Sequence, residues 1–297
     1  MQRGPENFTA RERAECERLI DWGLDEDLGS PMRDLTSEAV IPVDQRASAL
    51  VMARQTGVIA GTEALPLLGD RLGYSVEVLR SDGPVEKGTP IARLAGTLRS
   101  VLAGERLSLN LLGRLSGVAS LTARYVNAIR GTKACIVDTR KTTPGWRYLE
   151  KYAVRIGGGT NHRVGLFDGV LIKDNHLAAV SERESKPILV AVARAREQSP
   201  AGTVVEVEID SLSQLEEAIH ARPDMILLDN MIPENLGLAV EIRDRLGPGI
   251  LLEASGGIHL ESVVAVARSG VDRISVGALT HSAAVLDVAL DYEELRV

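Results

Sequence analysis

Met225-Ile226-Leu227-Leu228-Asp229-Asn230 is a fully apolar run that ends in a carboxylate and an amide, and Pro233 to Leu246 behind it has helical spacing with Pro at a first-turn position. The same unit recurs on both sides. Strand-like runs fall at Cys135 to Asp138, Gly169 to Lys173, Thr203 to Ile209, Ile250 to Glu253 and Arg273 to Val276, with helix-period stretches at Ser211 to Ala221 and Leu260 to Ser269. Strand and helix alternating over short connections predict a parallel sheet, because parallel neighbours need a crossover element between them. An open doubly wound sheet and a barrel both satisfy that pattern. Asp138, Lys173, Glu208, Asp229, Ser255 and Gly277 each sit at or just past the C-terminal end of a different strand. A ring of strands converging on one mouth places polar residues in that way, so the expectation is an incomplete parallel α/β barrel.

The first hundred residues read differently. A helix-like Ala10 to Leu24 precedes strands near Ala47 to Arg54, Tyr74 to Leu79 and Ile91 to Ala95, with turns at Asp82-Gly83-Pro84 and Lys87-Gly88. This predicts a separate α+β domain, joined to the barrel by a long helical stretch from Glu105 to Ile129. The hairpin Asp82 to Ala92 resembles the turn-strand pattern of biotinyl and lipoyl carrier domains, but no lysine-bearing tip follows, and a structural hairpin is the simpler reading.

Composition narrows the function. The chain has 297 residues, 44% hydrophobic and 25% charged, enough for two packed domains. A formal charge of -7 and only 3% aromatics argue against a nucleic-acid surface, so any anionic ligand must be held by a local cluster of cations. Cys16 and Cys135 are far apart and form no metal-binding spacing, which suits a reducing, cytoplasmic setting. No signal-peptide core and no membrane-length apolar run is expected.

The chemistry concentrates between Asp138 and His176. Thr139-Arg140-Lys141-Thr142-Thr143-Pro144-Gly145 puts adjacent cations and hydroxyls on a turn after a strand. Gly157-Gly158-Gly159 leads to His162 and Arg163, and Lys173 closes an apolar strand before Asp174-Asn175-His176. Taken alone, each could be a solvated loop or a snorkelling lysine. Together, Arg140, Lys141, Arg163 and Lys173 would repel one another unless carboxylates or a strongly anionic ligand offset them. The acids come later in the chain. Glu206-Val207-Glu208 alternates, so its carboxylates share one face of the strand; Glu208 and Asp229 are placed to bind sugar hydroxyls or a magnesium ion carried by a substrate. Ser255-Gly256-Gly257 and Gly277 put small residues at late strand ends, where backbone N–H groups can approach a phosphate.

These segments resemble the quinolinate phosphoribosyltransferase family. The resemblance is carried by Thr139 to Gly145, Glu150 to Val154 with Gly157 to Gly159, Asn161-His162-Arg163, Leu171 to His176, Glu206-Val207-Glu208, Leu228-Asp229-Asn230 and Glu253 to Ile258. Upstream it continues through Glu26 to Gly29, Asp34 to Ser37 and Gly104 to Asn110, so it spans nearly the whole chain; Arg33 stands where the family usually has Gly.

The resemblance implies an N-terminal α/β sandwich over 1–115 joined by the tail 280–297, an open-faced barrel over 116–279, and a homodimer with shared active sites, larger assemblies being left open. It implies quinolinate contacts at Arg106 of the second chain and at Thr139, Arg140, His162, Arg163 and Lys173, with phosphoribosyl pyrophosphate held by Lys141, Glu208, Asp229, Ser255, Gly256, Gly257, Gly277 and His281. Lys141, Lys173, Glu208 and Asp229 are then the expected catalytic set, with Mg2+ at Glu208 and Asp229 directly or through substrate or water. The implied reaction is a pentosyl transfer with decarboxylation in NAD biosynthesis. The competing expectations are a paralogue associated with molybdenum transport and a non-catalytic binder of phosphoribosyl ligands.

Overall fold

The structure is a computed structural model that describes residues 7–293. Residues 1–6 and 294–297, which include the start of the expected first domain and the end of its tail, lie outside the described residues. The chain divides into two compact units, with the breaks falling at 123/124, 141/142, 158/159 and 278/279.

The first unit opens with α1 (Ala10–Leu28). Its start is a capping box: the Thr9 hydroxyl accepts the Glu12 amide at 3.3 Å and the Glu12 carboxylate accepts the Thr9 amide at 2.6 Å. The helix runs one turn past the expected Leu24 because Asp25 to Leu28 contains no breaker; it stops at Gly29, whose φ of 69° an L side chain rarely adopts. There follow α2 (Leu35–Val40), β1 (Arg46–Ala53), β2 (Gly57–Ile59), α3 (Ala64–Leu72), β3 (Ser75–Val78), β4 (Gly83–Val85), β5 (Pro90–Thr97) and α4 (Leu98–Ala128), the last crossing the first break.

Three of these strands and β12 (Val288–Glu293), the last strand among the described residues, form one four-stranded antiparallel sheet in the order β12-β1-β5-β3. Ala49 of β1 sits opposite both Leu94 and Tyr292. Alternation along β1 turns Ala49, Val51 and Ala53 into the core. β2 and β4 make a separate two-stranded ribbon. The end of the ribbon where the chain leaves β2 and enters β4 is anchored by Asp82, whose carboxylate accepts the Gly61 and Thr62 amides at 2.6 and 3.0 Å and the Tyr152 hydroxyl at 2.6 Å.

The segment 142–158, carrying α5 (Arg147–Ile156), also belongs to the first unit. It is tied to α1 by Arg155 on Glu12 at 2.7 Å and by the Leu149 amide on Glu15 at 2.9 Å. Glu150 is fully buried and accepts the Thr143 amide at 3.0 Å and the Arg114 guanidinium at 2.5 Å.

The second unit is one parallel sheet of six strands, β6 (Cys135–Val137), β7 (Val170–Ile172), β8 (Val205–Ile209), β9 (Met225–Asp229), β10 (Leu251–Ser255) and β11 (Arg273–Ser275). Between them run α6 (Asp174–Ser181), α7 (Pro187–Gln198), α8 (Leu215–Ala221), α9 (Pro233–Leu246) and α10 (Val263–Arg268), and α11 (Ala278–His281) follows β11. The spatial order is β6-β11-β10-β9-β8-β7. That order decides between the two sheet architectures left open by the sequence. Strands β7 to β11 are laid side by side in chain order, and the first strand, β6, pairs with the last, β11; a doubly wound sheet would instead reverse direction in its middle. The fold is therefore an open α/β barrel, with β6 and β7 unpaired to each other among the described residues.

Every residue of β9 except Asp229 is buried, as are Val205, Val207 and Ile209 of β8, so these strands face packed atoms on both sides. At the N-terminal side of the sheet, Arg243 of α9 is almost fully buried. It donates to Asp272 and to the Ile250 carbonyl at 2.7 and 2.6 Å.

Candidate active site

All six barrel strands run the same way, so their C-terminal ends share one edge, and that edge collects most of the residues the sequence singled out. Thr139, Arg140 and Lys141 follow β6; Lys173 follows β7; Glu208 lies one residue before the end of β8; Asp229 and Ser255 close β9 and β10; Gly277 follows β11. His162 and Arg163 arrive by another route. A parallel bridge between Val137 and Thr160 lays the 160–163 segment beside β6. Buried Asp138 then accepts the Asn161 amide group at 2.6 Å and the His162 backbone N–H at 2.9 Å. Arg106, in α4, and His281, at the end of α11, belong to the first unit.

The cations on this edge are not equivalent. Lys173 reaches Glu208 at 2.9 Å and is about half exposed, whereas the Glu208 side chain is only 13% exposed. Arg163 donates to the Gly169 carbonyl at 2.9 Å. Burial and then the neighbouring Arg140 charge push its pKa below the ordinary guanidinium value, with Glu206 opposing them. Arg140 Nε is buried and has no hydrogen-bond partner among the described residues. A buried guanidinium donor without an acceptor is costly, and a ligand carboxylate is the group that would satisfy it in bidentate fashion. Thr139 Oγ1 accepts the Lys141 amide at 3.1 Å and so shapes the turn.

On β9 and β10 the backbone itself is shaped for close approach. Asn230 has a φ of 53°, donates its amide to the Ser255 carbonyl at 2.9 Å, and gives its side-chain N–H to Asp229 at 2.6 Å. Gly256 lies against it with φ 91°, and a Cβ there would fall 2.1 Å from Asn230 Oδ1, so only glycine fits. A cavity of about 310 Å³ opens beside Glu208, lined by Asp174, Leu177, Ile188, Asp210 and Gln214 among others.

Beneath the edge lies a buried layer that the sequence reading did not assign. Glu206 and Glu253 are 1% and 0% exposed and point into the barrel with His162. His162 Nε2 lies 3.0 Å from Glu206 Oε2 and 3.4 Å from Glu253 Oε1. Arg273 sits opposite Glu253 in the β10–β11 register and binds its other oxygen at 2.7 Å. Burial opposes a charged imidazole, but the two carboxylates outweigh it and His162 lies above its ordinary pKa. Burial pushes Glu253 up, reinforced by Glu206. The signal was present in the sequence, since an acid inside an otherwise apolar strand must find a buried partner; which partner depends on register and cannot be read from the strand alone.

One imidazole and two carboxylates within 4.8 Å of one another have the composition of a metal site. The hydrogen bonds disagree with that use. His162 Nδ1 accepts the Arg163 amide at 2.7 Å, which leaves the proton on Nε2, the atom that would have to ligate. Arg273 already occupies one Glu253 oxygen. Glu208 and Asp229, by contrast, are half-buried oxygen donors on adjacent strands and suit a hard cation.

Known proteins resemble the chain along nearly its whole length. Residues 34–116 match the N-terminal domain and 118–291 the C-terminal domain of quinolinate phosphoribosyl transferase. A nicotinate-nucleotide pyrophosphorylase [carboxylating] of Mycobacterium leprae is 44% identical over 277 residues, covering 92% of this chain and 95% of that protein. A probable enzyme of the same name from Bacillus subtilis is 42% identical, covering 93% of each. Among solved structures, the nicotinate-nucleotide pyrophosphorylase of Francisella tularensis superposes with a TM-score of 0.87 at 35% identity, over 98% of this chain and all of that one.

Proposed function

The chain belongs to the quinolinate phosphoribosyl transferase family, and on that premise we propose how its residues divide the work. Its reaction joins quinolinate to the phosphoribosyl group of phosphoribosyl pyrophosphate, releases pyrophosphate and carbon dioxide, and yields nicotinate mononucleotide for NAD synthesis.

The observation that carries the assignment is the pairing of a partnerless buried Arg140 Nε with a desolvated Arg163 beside it. Two close cations with an unspent donor match a dicarboxylate better than any neutral ligand. We assign the quinolinate carboxylates to Thr139, Arg140, Arg163 and Lys173, and to Arg106 of a second copy in a homodimer. His162 lies at the floor of this group. Lys141, Ser255, Gly256, Gly257, Gly277 and His281 are assigned to the phosphoribosyl pyrophosphate, with Glu208 and Asp229 facing the ribose. The free thiols of Cys16 and Cys135 suit a cytoplasmic enzyme.

The chemistry follows from charge. Breaking the bond to pyrophosphate leaves positive charge on the anomeric carbon, which carboxylates of Glu208 and Asp229 stabilise. The quinolinate nitrogen donates its lone pair to that carbon. The alkylated ring is cationic, so it accepts the electron pair left when the adjacent carboxylate leaves as carbon dioxide, and a solvent proton completes the product. Mg2+, held through Glu208 and Asp229 or their waters, would neutralise charge on the pyrophosphate. What the chain itself supplies is alignment of two mutually repelling anions.

The test is an assay of purified protein with quinolinate, phosphoribosyl pyrophosphate and Mg2+ that follows pyrophosphate and nicotinate mononucleotide together. Equal amounts of both are expected. Pyrophosphate release without quinolinate consumption would sink the substrate assignment.

A further inference from the structure

We infer that Glu206, backed by the Glu253–Arg273 pair, is the positioning residue for His162 and Arg163, so that a hydrogen bond inside the barrel sets how Arg163 meets the quinolinate carboxylate. The inference rests on the substrate reading above and adds a residue to it.

The geometry couples the two layers through one ring. His162 Nδ1 accepts the backbone N–H of Arg163 at 2.7 Å, while Nε2–H points at Glu206 Oε2, 3.0 Å away. With Nδ1 accepting, the proton of the neutral imidazole sits on Nε2, so the neutral ring makes both bonds, whereas a proton added at Nδ1 would keep the bond to Glu206 and lose the one to Arg163. Turning the ring would break both contacts at once. Asp138 holds the same segment from the backbone side, through Asn161 and the His162 amide, and the Gly169 carbonyl takes Arg163 Nη1. Arg163 is thereby fixed at its amide and at its guanidinium, and the amide end is held by a ring whose far nitrogen depends on Glu206.

The arrangement is wasteful for a purely structural core. Glu206 Oε1 and Glu253 Oε1 are both buried without a hydrogen-bond partner among the described residues. An apolar filling of the same volume would avoid leaving two acceptors unsatisfied. What the carboxylates provide, and apolar side chains would not, is a fixed direction for the imidazole.

The test compares Glu206→Leu with Glu206→Gln. Leucine removes the acceptor. Glutamine keeps an oxygen for His162 Nε2–H at the same reach. Two readouts are needed: KM for each substrate, and amide hydrogen exchange over residues 160–169. Glu206→Leu should raise the quinolinate KM on the order of tenfold, leave the phosphoribosyl pyrophosphate KM within about twofold, and speed exchange in 160–169 by about tenfold without changing α8. Glu206→Gln should restore both readouts. If the leucine variant does not fold, Glu206→Asp, with an arm one methylene shorter, should show the same selective defect in weaker form.

Unchanged exchange over 160–169 in a folded variant would overturn the inference, as would equal rises in both KM values or a glutamine variant no better than leucine. Failure of wild-type protein to consume quinolinate would fall on the substrate reading instead. The exchange comparison would then still decide whether Glu206 holds the segment.

Discussion

Replacing Lys173 by Met separates catalytic charge from structural charge. In the folded protein Lys173 makes one ion pair among the described residues, to Glu208 at 2.9 Å, and its side chain is 48% exposed. A pair of that exposure contributes about 0 to 1 kcal/mol to stability. Methionine preserves most of the stem, so the thermal midpoint should fall by no more than about 4 °C. Turnover is a different matter. A charge-assisted hydrogen bond from the ammonium to a substrate anion is worth about 1.5 to 3 kcal/mol, and its loss lowers kcat/KM by roughly tenfold to 150-fold. The true loss should lie toward the upper end, because Glu208, only 13% exposed, would then face the anionic site without its counter-charge. The assay is steady-state release of nicotinate mononucleotide by Lys173→Met beside wild type, with both midpoints measured by calorimetry. A folded variant with near-normal kcat/KM would remove Lys173 from the site, and a collapse of the midpoint would show that the charge serves the fold.

Other outcomes follow from the same geometry. Removing the buried partner of Asp272 with Arg243→Ala should cost about 3 to 5 kcal/mol in urea unfolding while leaving KM for both substrates unchanged in whatever fraction folds. Burial raises the Asp272 pKa, but hydrogen bonds from Arg243, the Leu252 amide and Lys133 outweigh it, so the folded value lies below the unfolded one. Its contribution is thus fully present above the ordinary carboxylate value of about 3.9 and lost as pH falls through the lower folded value; Asp272→Asn should flatten that part of the stability profile. Mixing impaired Arg106→Ala with impaired Lys173→Met subunits should raise activity above that of either variant alone through hybrid dimers, and confirmed subunit exchange without such a rise would end the shared-site reading. Nicotinate, with one carboxylate, should leave Arg140 or Arg163 unpaired at a cost of about 1 to 3 kcal/mol, so that equal specificity constants for nicotinate and quinolinate would refute the dicarboxylate pocket.

The barrel was legible because its strands are short apolar runs with polar ends, and Pro233 to Leu246 coincides with α9 from its first residue to its last. Other parts of the fold were not, and two of them show why. β12 is Val-Ala-Leu-Asp-Tyr-Glu, too short and too mixed to declare itself, and it becomes a strand only because β1, some 240 residues earlier, offers an edge with Ala49 opposite Tyr292. α5 differs: its sequence is amphipathic, with Arg147, Glu150, Lys151 and Arg155 along one side, yet Leu149 to Val154 are all buried, Glu150 and Lys151 included, so its polar side meets packed partners rather than solvent. At the site, single residues at strand ends were legible by position. Glu206 was quoted only as the neighbour of Glu208, and its pairing with His162 needs the 160–163 segment to be laid beside β6 by the Val137–Thr160 bridge, a contact that no local pattern announces.

The two layers of charge also explain how a chain of net charge -7 can gather two anionic substrates. Cations at the rim attract the ligands, yet an unopposed cluster of Arg140, Arg163 and Lys173 would destabilise the ligand-free protein. Counter-charge on the same surface would compete with the substrates for the same donors, as Glu208 does for Lys173. Counter-charge placed deeper acts differently. Glu206 opposes the loss of charge on Arg163 through space, while its hydrogen bond is given to His162, so the Arg140 and Arg163 donors are not consumed by it. Glu253, neutralised on one oxygen by Arg273, completes the layer beside His162 Nε2. Depth thus lets acids stabilise the empty pocket without becoming its ligands, a role that position at a strand end does not reveal.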